Sequence, residues 1–196
     1  MEIVPIFAPY LYVVKYPDDF TLVWNDEINL YFDEDQIGDM DEFDRLFSLW
    51  SNPLYLENFF NSNEEYLNAP YWQKYNTSPE NLSKLTSKKA LEFEKEILKK
   101  QSQPNELFQP LHNDNSRLIN ISEGKAKYNW LRIYAVKIDE NRFLIVGGAI
   151  KLTFKMDAHK STQDELKKIA YIKNILIENN IIDGDSFDDA LYEINL

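Results

Sequence analysis

A change of hydrophobic period divides the last third of this chain and limits what it can fold into. Trp130-Leu131-Arg132-Ile133-Tyr134-Ala135-Val136-Lys137 alternates as a half-covered strand does, Asp139-Glu140-Asn141 supplies a turn, and Arg142 to Thr153 returns as an antiparallel partner. Across residues 156–162 the period lengthens from 2 to 3.6. Ser161 or Thr162 then opens a helix, with Glu165 in a capping-box position, and Leu166, Ile169, Ile172 and Leu176 carry it to about Asn180. A hairpin followed by an amphipathic helix buries both apolar faces when the helix lies across the sheet. Gly147-Gly148, inside the second strand, marks a bulge, a bend or a close backbone approach.

The upstream pattern adds helices and an edge strand. Tyr10 to Lys15 reads as an edge strand after Pro5 and Pro9, and Phe20 to Trp24 with Ile28 to Phe32 as a hairpin around Asn25-Asp26-Glu27. Phe43, Leu46, Phe47 and Trp50 share one helical face behind Asp39 or Asp41 as N-cap. After a break at Asn52-Pro53, Leu54, Leu56, Phe59 and Phe60 form a second short helix ending near residues 61–63. Ser78-Pro79 is a strong helix start, and the apolar spacing from Leu82 to Leu98 predicts a helix reaching about Gln101. Leu107 to Leu111 reads as a loop or short strand, and Leu118 to Ile121 alternates. The fold class is α+β: a small antiparallel sheet packed against N-terminal and central helices and a C-terminal helix.

Composition narrows the function classes. With 44% hydrophobic residues the chain is too apolar for disorder despite a net charge of −12, and 196 residues suit one domain. No cysteine is present, so disulfides, thiolate nucleophiles and thiolate metal sites are excluded, and only His112 and His159 offer imidazoles. No apolar run approaches the roughly 18 residues that span a bilayer, and Met1-Glu2-Ile3-Val4-Pro5 does not resemble a secretion signal, so a cytoplasmic protein without a membrane partner is expected. Charge is unevenly spread: residues 1–70 carry −13, residues 117–173 carry +6, and residues 174–196 carry −6. A basic block between acidic ends is either a solvated mixed surface, a nucleic-acid-facing strip or a docking face for an acidic partner.

The arginine strand Trp130 to Tyr134, the second strand with its lysine-rich exit, Phe143 to Lys155, and the helix start Ser161-Thr162-Gln163-Asp164-Glu165-Leu166 resemble the RelE/HigB toxin superfamily, in its phage-associated HigB-type branch. The resemblance covers residues 128–182 best. It implies a RelE-like core over about residues 41–182 carrying an acidic N-terminal extension over about residues 1–40. It further implies the toxin of a type II toxin-antitoxin pair, an endoribonuclease on translated mRNA, with a cognate antitoxin protein and mRNA, free or on the ribosome, as partners. No cofactor and no metal are expected.

Such cleavage makes a 2′-hydroxyl attack its neighbouring phosphate, which needs cations and a proton-transfer group. At matching positions stand Arg132 and Lys151, with His159 as the available acid or base. Lys155, Tyr134 and Thr153 are the accompanying RNA-binding candidates, since strand alternation puts Arg132 and Tyr134 on one face and Lys151, Thr153 and Lys155 on another shared face. Each has a plainer reading: Arg132 and Lys151 as the solvent side of a sheet, His159 as an ordinary surface histidine, Tyr134, Trp72 and Tyr75 as packing. Asp33-Glu34-Asp35 is a solvated acidic loop or a site for a hard cation. The alternative function is a non-catalytic interaction protein of phage or mobile-element origin whose acidic surface binds a basic protein partner.

Overall fold

Strands β5 (Leu131–Lys137) and β6 (Phe143–Ile150) pair antiparallel, as the alternation predicts. The computed structural model describes residues 1–17, 30–33, 39–75, 78–111 and 122–194. Within them lie β1 (Glu2–Phe7), β2 (Leu11–Lys15), the two-residue β3 (Gln109–Pro110) and β4 (Ser122–Tyr128). The helices are α1 (Glu42–Ser51), α2 (Pro53–Ser62), the single turns α3 (Glu64–Leu67) and α4 (Pro70–Gln73), α5 (Pro79–Lys100), α6 (Lys160–Glu178) and α7 (Gly184–Ile194). The predicted hairpin over residues 20–32 falls mostly, and the Leu118–Ile121 run entirely, outside the described residues.

The six strands form one α+β sheet in the order β1-β2-β6-β5-β4-β3. It is mixed rather than antiparallel, because β2 lies parallel to β6 over Leu11–Val13 and Phe143–Ile145. A parallel neighbour needs a crossover, and the helical segments between residues 42 and 100 lie on that long path. β2 is not the edge strand: β1 pairs outside it, running through Pro5, which an outermost strand tolerates because one side of its ladder is unpaired.

Helices cover both faces. Leu46, Phe47 and Trp50 of α1, Leu56 and Phe60 of α2, and Phe93 and Ile97 of α5 pack with Leu131, Ile133 and Ile145 on one side. Ile169, Ile172 and Leu176 of α6 and Phe187 of α7 pack with Tyr134, Val136, Leu144 and Val146 on the other. Every residue of β6 is therefore buried, as in a central strand, and each large side chain so placed contributes about 1.5–3 kcal/mol.

Local chemistry explains the boundaries. Asp41, one of the two expected candidates, caps α1 through Asp44 N–H at 2.9 Å, and Ser78 followed by Pro79 opens α5 as the sequence predicts, while Asn52, expected only as a break, caps α2. α6 departs from expectation at its start. Its N-cap is His159, whose Nδ1 accepts from Ser161 N–H at 3.2 Å, and Glu165 does not turn back to complete a capping box. Glu165 is buried instead, with Lys168 Nζ 2.8 Å away; Lys168 also reaches Glu42 at 3.1 Å, and Glu42 holds Arg45 by two 2.6 Å bonds. This four-residue ionic cluster joins α1 to α6.

The glycine pair adjoins a bulge at Val146 and is itself a close approach. The β5–β6 register shifts between Tyr134 and Ala135, a Cβ on Gly147 would collide with Glu165 Oε2, and a Cβ on Gly148 would lie 2.8 Å from Leu46 Cδ1. α6 thus presses on one residue and α1 on the next. Among the described residues, no helix is long and apolar enough to cross a membrane.

Candidate functional site

The sheet face under α6 is only partly covered. Where β4 and β5 run to their hairpin, Lys125, Lys127, Arg132 and Tyr134 form the floor of a cleft of about 1340 Å³. Its walls come from residues 65–71 of α3 and α4, from residues 151–157 after β6, and from Leu166 of α6. Alternation along β4 explains the floor: Ala126 joins the helical core on the opposite face, while Lys125 and Lys127 face the cleft beside their cross-strand partners Tyr134 and Arg132.

Two anchors fix the geometry. The β4–β5 turn places Asn129 at φ 56°, a left-handed conformation that asparagine tolerates better than most side chains, and Trp130 tucks beneath it with its indole N–H 3.0 Å from Thr86 Oγ1. Arg132 Nη1 folds back onto the carbonyls of Asn129 and Leu131, both at 2.7 Å, which holds the guanidinium at the hairpin. On the other wall, Trp72 donates to the carbonyl of Leu152 at 2.9 Å and packs on Trp130 at 5.1 Å, tying α4 to the exit of β6. Trp72 is accordingly a packing residue, buried to 3% exposure.

Five cations share the cleft: Lys125, Lys127, Arg132, Lys151 and Lys155. Among the described residues none forms a salt bridge, although Glu65 and Asp157 also line the walls. Burial, followed by the neighbouring Arg132, holds the ammonium groups of Lys125 and Lys151 below the usual lysine range. Arg132 is itself pushed down by burial, offset by Tyr134 and Tyr71. Such a site disfavours its own charge until an anion enters. Burial, with Glu165 adding to it, raises the Tyr134 phenol, and that hydroxyl is buried without a hydrogen-bond partner, as is Glu165 Oε2.

The expected site residues separate into two groups. Arg132, Lys151, Lys155, Tyr134 and Thr153 all line this one cleft, whereas His159 does not. The His159 ring is engaged elsewhere: Nε2 meets Asn63 Oδ1 and Nδ1 meets Ser161 Oγ, each at 2.7 Å, and Tyr66 packs edge-on at 4.9 Å. With Nδ1 also accepting from the backbone, a neutral imidazole protonated at Nε2 satisfies every partner; burial lowers its pKa accordingly, with Glu65 opposing. Lys125 and Lys127 were missed, since β4 alternates lysine with glycine and alanine and shows no apolar stripe. The Lys125-Ala126-Lys127-Tyr128 alternation was the available signal.

Of the acidic N-terminal third, Glu65 lines the cleft wall, whereas Asp33, Asp39, Asp41 and Asp44 do not line it and Glu42 is buried against Arg45 and Lys168. Glu34 and Asp35 lie outside the described residues, as does His112. Comparison with protein-family models, with curated proteins and with solved structures finds no match for this chain.

Proposed function

We propose that this chain binds RNA in the cationic cleft and, as the RelE/HigB resemblance implies, cleaves it as the toxin of a toxin-antitoxin pair. One observation carries the reading: five cations that meet no carboxylate partner among the described residues converge on one half-enclosed cleft of a protein whose net charge is −12. Like charges held together and partly desolvated oppose folding, and a bound phosphodiester relieves both costs. In this reading Arg132 and Lys151 stabilise the charge that develops on the phosphate, and Lys125, Lys127 and Lys155 hold the flanking backbone. His159 acts as a helix cap rather than as the proton-transfer group.

A second reading is favoured by the engagement of both His159 nitrogens: a non-catalytic protein whose acidic surface, including Glu57 and Glu64 and, on α7, Asp185 and Asp189, binds a basic partner. Growth arrest on expression, together with RNA cleavage with and without ribosomes, separates the two. Arg132→Ala and Lys151→Ala are expected to lose about 100-fold or more in cleavage, the cost of one charge-stabilising donor. His159→Ala is expected to lower stability and leave the cleavage rate of the folded fraction within a few-fold. Wild-type protein that neither arrests growth nor cleaves RNA in either format rejects the enzymatic reading.

A further inference from the structure

Phe154 is 96% exposed, the largest exposure among the apolar side chains of the described residues, and it lines the cleft between Lys151 and Lys155. The segment that presents it is pinned on both sides. Leu152 is buried at 4% exposure with its carbonyl held by Trp72, and Thr153 Oγ1 donates to the carbonyl of Lys155 at 2.7 Å. A bend anchored this way holds its middle side chain outward, and a phenyl ring fixed in water forgoes the burial that most phenylalanines gain. A second ring, Tyr71, lines the same cleft at 41% exposure, set by edge contacts to Trp72 and Tyr75 and by Lys74 Nζ 4.3 Å above it. Tyr66, by contrast, is occupied by His159, and the hydroxyl of Tyr134 is buried.

We propose that Phe154 is a stacking platform for an unpaired base, so that the ligand of the cleft is a single strand whose phosphates lie on Arg132 and the lysines while a base rests on the ring; the proposal rests on the reading of the cleft as an RNA site. Two features select this ligand. The cleft has apolar lining, Pro70, Tyr71, Met156 and Leu166 among it, but it shares that lining with Arg132, Lys151 and Lys155, the mixture of cations and apolar faces that a single strand uses rather than the wide uninterrupted patch of an apolar protein partner. A duplex keeps its bases stacked on one another and leaves an outward ring without a partner, whereas single strands bind through basic grooves interleaved with aromatic faces.

The test is fluorescence anisotropy on the full chain with three probes: a single-stranded RNA of about 12 nucleotides, a duplex of the same length, and inorganic polyphosphate. Wild type is expected to bind the single strand most tightly. Phe154→Ala should weaken that probe by roughly 10- to 100-fold, the range for losing one stacked base, and leave polyphosphate unchanged. Phe154→Trp should restore affinity and show indole quenching on binding. Unchanged single-strand affinity in Phe154→Ala, or an equal loss for polyphosphate, overturns the stacking platform while leaving the cationic cleft intact. Wild type that binds none of the probes overturns the platform and the RNA reading together.

Discussion

Two charged regions lie on either side of α6 and solve opposite problems. In the buried cluster, two carboxylates and two cations (Glu42, Arg45, Glu165 and Lys168) are drawn out of water and pair with one another at 2.6–3.1 Å, leaving Glu165 Oε2 as the one oxygen of the four-residue cluster without a partner. In the cleft, five cations converge that, among the described residues, meet no carboxylate partner, and three of them, Lys125, Arg132 and Lys151, are drawn partly out of water. The first arrangement gives a defined position to α1 and α6 at the cost of desolvation, which pairing offsets. The second leaves a desolvation cost standing in the free protein. The difference teaches where to look for function: paired buried charge specifies the packing of two elements, and unpaired half-buried charge of one sign reserves space for a ligand.

The largest expected effect breaks the paired side of this contrast. Lys168→Met leaves Glu42 and Glu165 buried with one cation between them, and it should cost about 3–5 kcal/mol, the usual penalty for orphaning a buried charge. Urea denaturation measures it; a loss under about 1 kcal/mol would remove the distinction drawn between the two regions.

A medium effect is expected from pH. Burial, with Glu42 adding to it, pushes Glu165 up to about 7 against the pull of Lys168, from an ordinary 4.5. Between these values the folded chain holds a proton that the unfolded chain releases, so this group's contribution to stability is complete below about pH 4.5 and is lost as pH rises through 7. Glu165→Gln cannot ionise and should lack that decline. Urea midpoints of wild type and variant at several pH values from 5 to 8 should therefore diverge as pH rises; parallel profiles would show that Glu165 titrates like a carboxylate in water.

The smallest effect sharpens the unpaired side. Lys125→Gln removes one of the like charges facing Arg132 and should leave stability unchanged or raise it by about 0.2–1 kcal/mol, more at low salt than at high. Thermal unfolding at two ionic strengths checks this. A clear destabilisation that salt does not change would mean that Lys125 is held by packing rather than repelled by its neighbours.

Much of this architecture was legible where one physical signal dominated. Ser78-Pro79 fixed the start of α5, Asn52-Pro53 separated α1 from α2, and alternation through Arg132 found β5. Legibility failed where tertiary partners decided. Glu165 matches a capping box in sequence, yet Lys168 and the space over Gly147 draw it inward, and no local pattern reports a partner on α1. The parallel pairing of β2 with β6 depends on the path of the intervening chain, so Tyr10 to Lys15 looked like an edge. α7 went unread because its acidic residues mask Phe187, which is fully buried. For the site, strand alternation grouped Arg132 with Tyr134, whereas Lys151, Thr153 and Lys155, expected on one face of the second strand, lie past its end at Ile150 and reach the same cleft through a bend, and the ring contacts of His159 depend on Asn63 of a distant segment.

The parallel β2–β6 pair also sets a timetable. Tyr16 hydrogen-bonds the carbonyl of Val146, 130 residues further along, at 2.6 Å, and Leu11 lies beside Phe143. On a ribosome the hairpin of β1 and β2 emerges well before β6, and its seat does not exist until β6 has been made. Contacts of such separation form late because the intervening loop must first be closed. β2 therefore waits with its β6 side unpaired while about 130 further residues are made, and a factor that shelters nascent apolar strands would engage this hairpin over that whole interval.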